Sequence, residues 1–393
     1  MTTKIKSGES KRFLLSARDT GAAGHILAIA SGLLERGYEA RLVMQGAALR
    51  LARRIGAHCE DASTWLDETD PLNPATRAAL GRTLAETRPD AVICGISSFH
   101  SNGIDEALML AASDQGIRCF AMQDFWGDVK FVDGVRADDY LVLDETAARI
   151  TRSATGAACH VVGSPKHANL VTHNYGKARE AFRRAHEIGA DDQVVCLFGQ
   201  SLQALKGYET VLSDLASTLI DQRQHSLIYK PHPLESSSQI ASTVSLLTAK
   251  GLPPNAVVSD PIEAVLSGCD VALSCFSTIG LDAAYLCRAT GRGPVVVYAD
   301  YPADITGYWR NESGLTILPA AHDGYALLAK DRSTLARCLT DSTSPEVRWK
   351  LRQKVEQVLP DPRAAVERAV ACLLSAATDH GQSPATAKER QIR

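Results

Sequence analysis

The sequence predicts an α/β protein built from two doubly wound domains that face a central cleft. Three observations predict it. The 393 residues exceed one ordinary core and suit two domains of roughly 150–200 residues each. Short apolar runs alternate with amphipathic helical stretches along most of the chain. That alternation restarts in mid-chain, at Val194-Val195-Cys196-Leu197-Phe198.

In order, the first strand is Arg12 to Ala17, followed by the polar, glycine-bearing loop Arg18 to Gly24. His25 to Arg36 carries Ile26, Ile29, Ala30, Leu33 and Leu34 at helical spacing and stops at Gly37. Ala40 to Met44 is the next strand, which completes a βαβ opening. Helices are expected over Leu49–Ile55, Thr76–Glu86, Asn102–Gln115 and Glu145–Thr155. Strands are expected at Ala91–Gly95, Ile117–Met122, Tyr140–Leu143 and His160–Val162. After a charged helical segment, Lys177–Ile188, the second half begins. Its strands are Val194–Phe198, Ser226–Tyr229, Ala256–Val258, Val271–Ser274 and Pro294–Tyr298. Its helices are Tyr208–Ile220, Glu235–Ala249, Pro261–Leu266 and Leu281–Cys287, with Thr334–Leu339 and Val347–Leu374 closing the chain.

Composition narrows the class. There are 42 Lys+Arg against 45 Asp+Glu, a formal net charge of −3 and a hydrophobic fraction of 45%. Mixed signs near neutrality argue against a dedicated nucleic-acid or polybasic membrane binder, and the apolar fraction against disorder. The ten cysteines run from Cys59 to Cys372 without a CxxC pair, and several sit inside apolar runs. They read as reduced, buried thiols, and no metal site is expected. The N-terminus lacks the apolar stretch of a signal peptide, and no run approaches the ~20 apolar residues of a membrane span. A cytoplasmic protein without an integral membrane segment is the expectation.

In doubly wound sheets, ligands gather at the loops after the strands. Tyr229-Lys230-Pro231-His232-Pro233 ends a strand with a cation and then a histidine between two prolines. The prolines restrict the backbone on either side, so the stretch is either a stiff turn with a surface histidine or a rigid phosphate ligand, Lys230 with His232. Ser274-Cys275-Phe276-Ser277-Thr278-Ile279 runs from a strand into a helix. Ser277 and Thr278 are either ordinary caps or, with the helix N-terminus, an anion site; Asp282 lies about one turn further, within reach of a ribose hydroxyl. Gln200, after the first strand of the second half, is an amide contact for a phosphate.

In the first half, Asp19 to His25 has glycines at Gly21 and Gly24 but no G-x-G-x-x-G fingerprint, which disfavours a dehydrogenase. The loop is a candidate anion or acceptor site, with His25 either a helix cap or a catalytic group and Asp19 a further candidate proton acceptor. Met122 to Asp128 places Gln123, Asp124, Phe125 and Trp126 directly after a strand. This is either a hydrophobic plug or a sugar platform of Gln123 and Trp126, with Asp124 as base. Ser97-Ser98-Phe99-His100 follows another strand, and His100 joins the platform candidates. The acid pairs Asp138-Asp139 and Asp191-Asp192 precede strands and read as solvated or capping groups.

With these residues the chain resembles the GT-B superfamily of nucleotide-sugar enzymes, over about Arg12 to Leu374. Gly24-His25-Ile26 through Arg36-Gly37-Tyr38-Glu39-Ala40 resembles the opening of GT-B glycosyltransferases. Val161-Val162-Gly163-Ser164-Pro165 looks like the strand that ends the first domain of UDP-GlcNAc 2-epimerase-like proteins. Lys230-Pro231-His232-Pro233 with Ser277-Thr278 is similar to the HP and Ser/Thr motifs of bacterial sialyltransferases, Kdo transferases and CDP-glycerol glycerophosphotransferases. The resemblance implies two Rossmann-like domains, with His232, Ser277 and Thr278 on the donor phosphates and Asp282 on the ribose. It places Asp124 where the epimerases carry a catalytic glutamate. Ser97-Ser98 and Gly199-Gln200-Ser201 stand where the epimerases have another acid and a His-Arg-Arg-Glu-like stretch, departures that favour transfer over epimerisation.

The expected organisation is a flexible N-terminus over 1–11, an acceptor-side domain over 12–170 and a linker over 171–190. A donor-side domain over 191–345, closing helices over 346–377 and a disordered tail over 378–393 follow. The expected activity is metal-independent glycosyl transfer from a nucleotide-sugar to a glycan or small-molecule acceptor hydroxyl, in bacterial polysaccharide or secondary-metabolite synthesis. A nucleotide-sugar 2-epimerase or hydrolase, or a catalytically silent nucleotide-sugar-binding partner, is the alternative. The nucleotide-sugar is a substrate, so no cofactor is expected; the oligomeric state is left open.

Overall fold

The computed structural model describes residues 10–67, 69–96, 101–222 and 225–379. The chain divides into two compact units, one of residues up to Ala168 together with those from Pro362 onward, the other Asn169–Asp361. Most of the expected N-terminal and C-terminal tails lie outside the described residues.

The first unit opens with β1 (Arg12–Ala17), α1 (Thr20–Leu34), β2 (Glu39–Met44), α2 (Gly46–Arg54) and β3 (Glu60–Asp61). It continues with α3 (Pro74–Thr87), β4 (Ala91–Gly95), α4 (Ile104–Asp114), β5 (Cys119–Met122), β6 (Asp139–Val142), α5 (Glu145–Thr155) and β7 (Ala158–Val161). The seven strands lie in the order β3-β2-β1-β4-β5-β6-β7, all parallel. β1 and β4 are buried on both faces, which is why they read as continuous apolar runs rather than alternating ones. α1 buries Ala22, Ile26, Ile29 and Leu33, the i, i+4, i+7 stripe of its sequence.

The second unit contains α6 (Tyr175–Ala185), β8 (Gln193–Phe198), α7 (Lys206–Gln222), β9 (His225–Lys230), α8 (Ser237–Ala249) and β10 (Ala256–Val257). Then come α9 (Ile262–Gly268), β11 (Val271–Ser274), α10 (Ile279–Thr290), β12 (Val295–Ala299), α11 (Ala303–Ser313) and α12 (Pro319–His322). β13 (Leu327–Ala329), α13 (Arg332–Asp341) and α14 (Pro345–Val358) complete it. Its six parallel strands lie in the order β10-β9-β8-β11-β12-β13. In both sheets the winding reverses beside the first strand, between β1 and β4 and between β8 and β11. Such a switch point leaves a crevice at the carboxyl ends of the strands.

The residues expected to form a linker hold α6. Arg179 and Arg183 of that helix both grip the Asp270 carboxylate at 2.7 Å. Asp270 also accepts from the Val194 N–H at the start of β8, 2.9 Å away. The Phe182 ring packs where a Gly268 side chain would stand, 2.0 Å from an added Cβ. The segment is therefore part of the second unit's core. The expected closing helices part company as well: α14 belongs to the second unit, whereas α15 (Ala365–Asp379) returns to the first and packs on α1. Gly32 permits that close approach, because a Cβ there would meet Val366 Cγ1 at 2.3 Å. Lys11 Nζ donates to Leu374 O at 3.1 Å, and Arg368 Nε donates to Val162 O at 2.9 Å.

Asp139 departs from its reading as a solvated or capping acid. It is 1% exposed, and its carboxylate accepts from Arg118 at 2.7 Å and bonds His160 at 2.8 Å. Asp138 does cap, accepting from the Cys119 N–H, and Asp191 and Asp192 are exposed. No helix among the described residues is long and apolar enough to cross a membrane.

Candidate functional site

In the second unit the loops after β9, β8 and β11 lie side by side at the carboxyl edge of the sheet, since these three strands are parallel neighbours. The Lys230–Pro233 turn and the Ser277–Thr278 loop therefore flank Gln200 on one edge. Lys230 closes β9 and His232 is half-buried. The His232 Nδ1 accepts from the Leu234 N–H at 3.2 Å, so the neutral ring carries its proton on Nε2. Burial pulls this imidazole below its ordinary value, against the opposing charge of Glu235.

Thr278 caps α10, and Ser277 Oγ accepts from the Ile279 N–H at 3.2 Å. Neither the Ser277 nor the Thr278 N–H meets an acceptor among the described residues. Together with the helix dipole these donors favour an anion. Asp282 sits in the first turn of α10. Gly280 lets Tyr298 lie against that turn, since a Cβ would come within 2.0 Å of the tyrosine hydroxyl. Gln200 has a structural role beside its expected one as a phosphate contact. Its Oε1 accepts from the Cys275 N–H at 2.8 Å and the Phe276 N–H at 3.2 Å, so it sets the path of the Ser277–Thr278 loop across the switch point.

In the first unit the structure brings His25 and Asp124 together and adds Lys166, which the sequence reading passed over. His25 Nε2 lies 3.1 Å from Asp124 Oδ1, and Lys166 Nζ donates to the same oxygen at 2.8 Å. The Lys166 N–H approaches His25 Nδ1 at 3.4 Å. Burial pushes the imidazole down to about 4, more than the Asp124 bond restores. His25 is thus a neutral, fully buried donor to Asp124. Burial alone would raise the Asp124 carboxyl, but the Lys166 ammonium and the His25 bond hold it well below the usual carboxylate range. Gly21 makes room for it, since a Cβ there would fall 1.9 Å from Asp124 Oδ2. Asp19 caps α1 with an extended backbone and no side-chain capping bond.

Trp126 and Gln123 are not a platform. Trp126 is 2% exposed, and its Nε1 donates to Asp144 at 2.8 Å. Gln123 is fully buried and donates to Asp128 O and Thr151 Oγ1 at 2.7 and 2.9 Å. Both tie the loop after β5 to α5, because their apolar and amide surface is worth more inside than on display. His100 lies outside the described residues, as do Ser97 and Ser98.

The first unit also holds a buried charged group that sequence reading did not find. Glu106 lies 3.7 Å from Arg18 and 3.5 Å from Lys130. Ser16 Oγ donates to Asp105 at 2.6 Å. Burial, reinforced by Glu106, pushes the Asp105 carboxyl up to about 8. Burial, reinforced by the Asp124 charge, pushes Asp128 well above the carboxylate range. Asp105 and Glu106 open an otherwise apolar helix, where acids at a first turn are commonplace, so no pattern in the sequence sets them apart. Among the described residues no group of three or more His, Cys, Asp or Glu is placed to hold a metal ion.

No family model matches the chain, and no curated protein matches it. Solved structures do. UDP-GlcNAc 2-epimerase from Neisseria meningitidis, bound to UDP-GlcNAc, aligns with a TM-score of 0.64 at 12% identity, covering 93% of this chain and 100% of that one. A glycosyltransferase from Rickettsia africae aligns with a TM-score of 0.64 at 10% identity, covering 94% and 99%. MurG from Acinetobacter baumannii aligns with a TM-score of 0.57 at 13% identity, covering 93% and 99%. At these identities the likeness establishes architecture: the chain has the α/β GT-B fold, with two Rossmann-like parallel sheets.

Proposed function

We propose that the protein is a nucleotide-sugar enzyme, and that its reaction is metal-independent glycosyl transfer to a glycan or small-molecule hydroxyl. The observation that carries the reading is the second unit's carboxyl edge. There a rigid histidine, a lysine and two backbone N–H groups at a helix start share one end of three adjacent strands. That is a set of donors suited to a phosphate ester, and structural neighbours that hold UDP or UDP-GlcNAc support it.

The chemistry follows from charge. The acceptor oxygen bonds to the anomeric carbon as the bond from that carbon to the phosphate oxygen breaks. Negative charge then grows on the departing nucleotide. Lys230, the His232 Nε2–H and the Ser277 and Thr278 N–H groups lower its energy. The acceptor's proton passes to Asp124. That carboxylate is a weak base while Lys166 holds it, so transfer is late, once bonding to carbon has made the hydroxyl acidic. His25, buried and bonded through both ring nitrogens, orients Asp124. A second reading, 2-epimerisation or hydrolysis, is favoured by the epimerase neighbours and by an acid in the loop after β5.

Titration with UDP-, GDP-, CDP- and CMP-sugars, with and without acceptors, tests both. His232→Ala is expected to weaken nucleotide binding by about tenfold or more, and unchanged affinity removes the donor-site assignment. Asp124→Asn is expected to spare binding and abolish turnover; retained activity moves the base elsewhere. Free nucleotide or a sugar isomer formed without acceptor selects the second reading.

A further inference from the structure

We propose that Glu235 is the positioning residue of the phosphate turn, holding His232 in place through the backbone; the inference rests on the donor-site reading above. Glu235 is 8% exposed and lies between the end of β9 with its turn and the loop after β8. Its Oε1 accepts from Tyr229 Oη at 2.7 Å and from Gln203 Nε2 at 2.5 Å. Its Oε2 accepts from the His232 N–H at 2.6 Å. Gly199, at the end of β8, leaves the space for it, since a Cβ there would come within 2.2 Å of Oε2. The network extends through Gln203 Oε1 to Gln239 Nε2 at 3.1 Å, and Gln239 Oε1 accepts from the Ser236 N–H at 2.8 Å, in the capping box of α8.

A carboxylate below an anion site calls for a reason. Through space, its charge opposes a bound phosphate. All three of its donors, however, are neutral groups on β8's loop, β9 and the turn itself, so the carboxylate welds them together. The prolines restrict two backbone torsions, yet they do not choose how the turn sits on the sheet. The Glu235 bond to the His232 N–H does, and it thereby aims the Nε2–H outward.

The two effects have opposite signs, which makes them separable. Glu235→Gln keeps size but removes the charge and one acceptor oxygen. If positioning governs, UDP affinity falls by about tenfold or more, the His232 amide exchanges at least about tenfold faster without ligand, and the imidazole 15N spectrum loses its single Nε2–H tautomer. Glu235→Asp, which keeps the charge, restores part of the affinity. Equal or tighter UDP binding by Glu235→Gln, or unchanged exchange at His232, overturns the proposal. If the wild-type chain binds no nucleotide, the donor-site reading fails, while the amide and imidazole measurements still decide the role of Glu235. Should Glu235→Gln not fold, Tyr229→Phe removes one donor and leaves the charge. It is expected to speed His232 exchange by a smaller factor, and no change there overturns the proposal equally.

Discussion

Asp105 shows what burial does to a single group. Its Oδ1 accepts from Ser16, its Oδ2 meets no donor among the described residues, and its carboxyl is pushed up to about 8 by burial and by Glu106. The folded chain therefore keeps this proton in a range where the unfolded chain, near the ordinary value, has lost it. Stability tied to Asp105 is present at low pH and drains away as pH rises from the unfolded value toward 8. His25 has the opposite slope, but its contribution lies between about 4 and 6.5 and is complete above that. Asp105→Asn, which keeps an acceptor for Ser16, is expected to flatten the fall in melting temperature between pH 6.5 and 8.5 and to be the more stable form at pH 8.5. A thermal series at fixed ionic strength checks it; parallel wild-type and variant curves contradict it.

At the scale of elements, the path from β11 into α10 depends on one amide. Gln200 satisfies two backbone N–H groups that the end of β11 leaves without a strand partner. Leaving a buried donor bare costs about 1–3 kcal/mol. Gln200→Ala is expected to speed hydrogen exchange at Cys275 and Phe276 and to weaken nucleotide binding by about tenfold, while β8 and β9 keep their protection. Loss of protection throughout the sheet would instead mean a general failure of the core. Local reading of the sequence placed this loop but not its brace, because Gln200 and Cys275 are brought together only by the pairing of β8 with β11.

At the scale of the whole molecule, the chain leaves the first unit near Ala168 and returns to it at Pro362. α15 covers α1, so the last helix is part of the first unit's core rather than a terminal appendage. Ending the chain at Asp361 is expected to lower the melting transition of the first unit by many degrees and leave that of Asn169–Asp361 nearly unchanged. Calorimetry of the full and shortened chains checks this; an equal shift in both transitions contradicts it. Sequence periodicity gives one helical span over Val347–Leu374, which the structure breaks after Val358, with α15 starting at Ala365. Periodicity does not say which unit receives α15, because the complementary surface lies more than 300 residues earlier.

Much was legible without a structure. The runs of β1, β4, β8 and β11 are buried on both faces, and burial of that kind writes itself as short, mostly apolar stretches without polar alternation. The two-residue strands β3 and β10 and the three-residue β13 carry less signal, and only β10 was anticipated. α11 escaped because its sequence mixes Gly, Asn and aromatics without a clear stripe. The Lys230–Pro233 turn and the Ser277–Thr278 helix start were readable because proline torsions and capping hydroxyls act locally. The amino-acid sequence by itself thus determined the alternation of strand and helix, the restart at Val194 and the residues that close the strands. Only the tertiary structure decided that Trp126 faces inward, that His25 is neutral, that Lys166 holds Asp124 as an anion and that Glu235 grips the Lys230–Pro233 turn. Torsions and periodicity are properties of neighbours in the chain. Desolvation and hydrogen-bond geometry depend on groups that meet only after the sheets have formed.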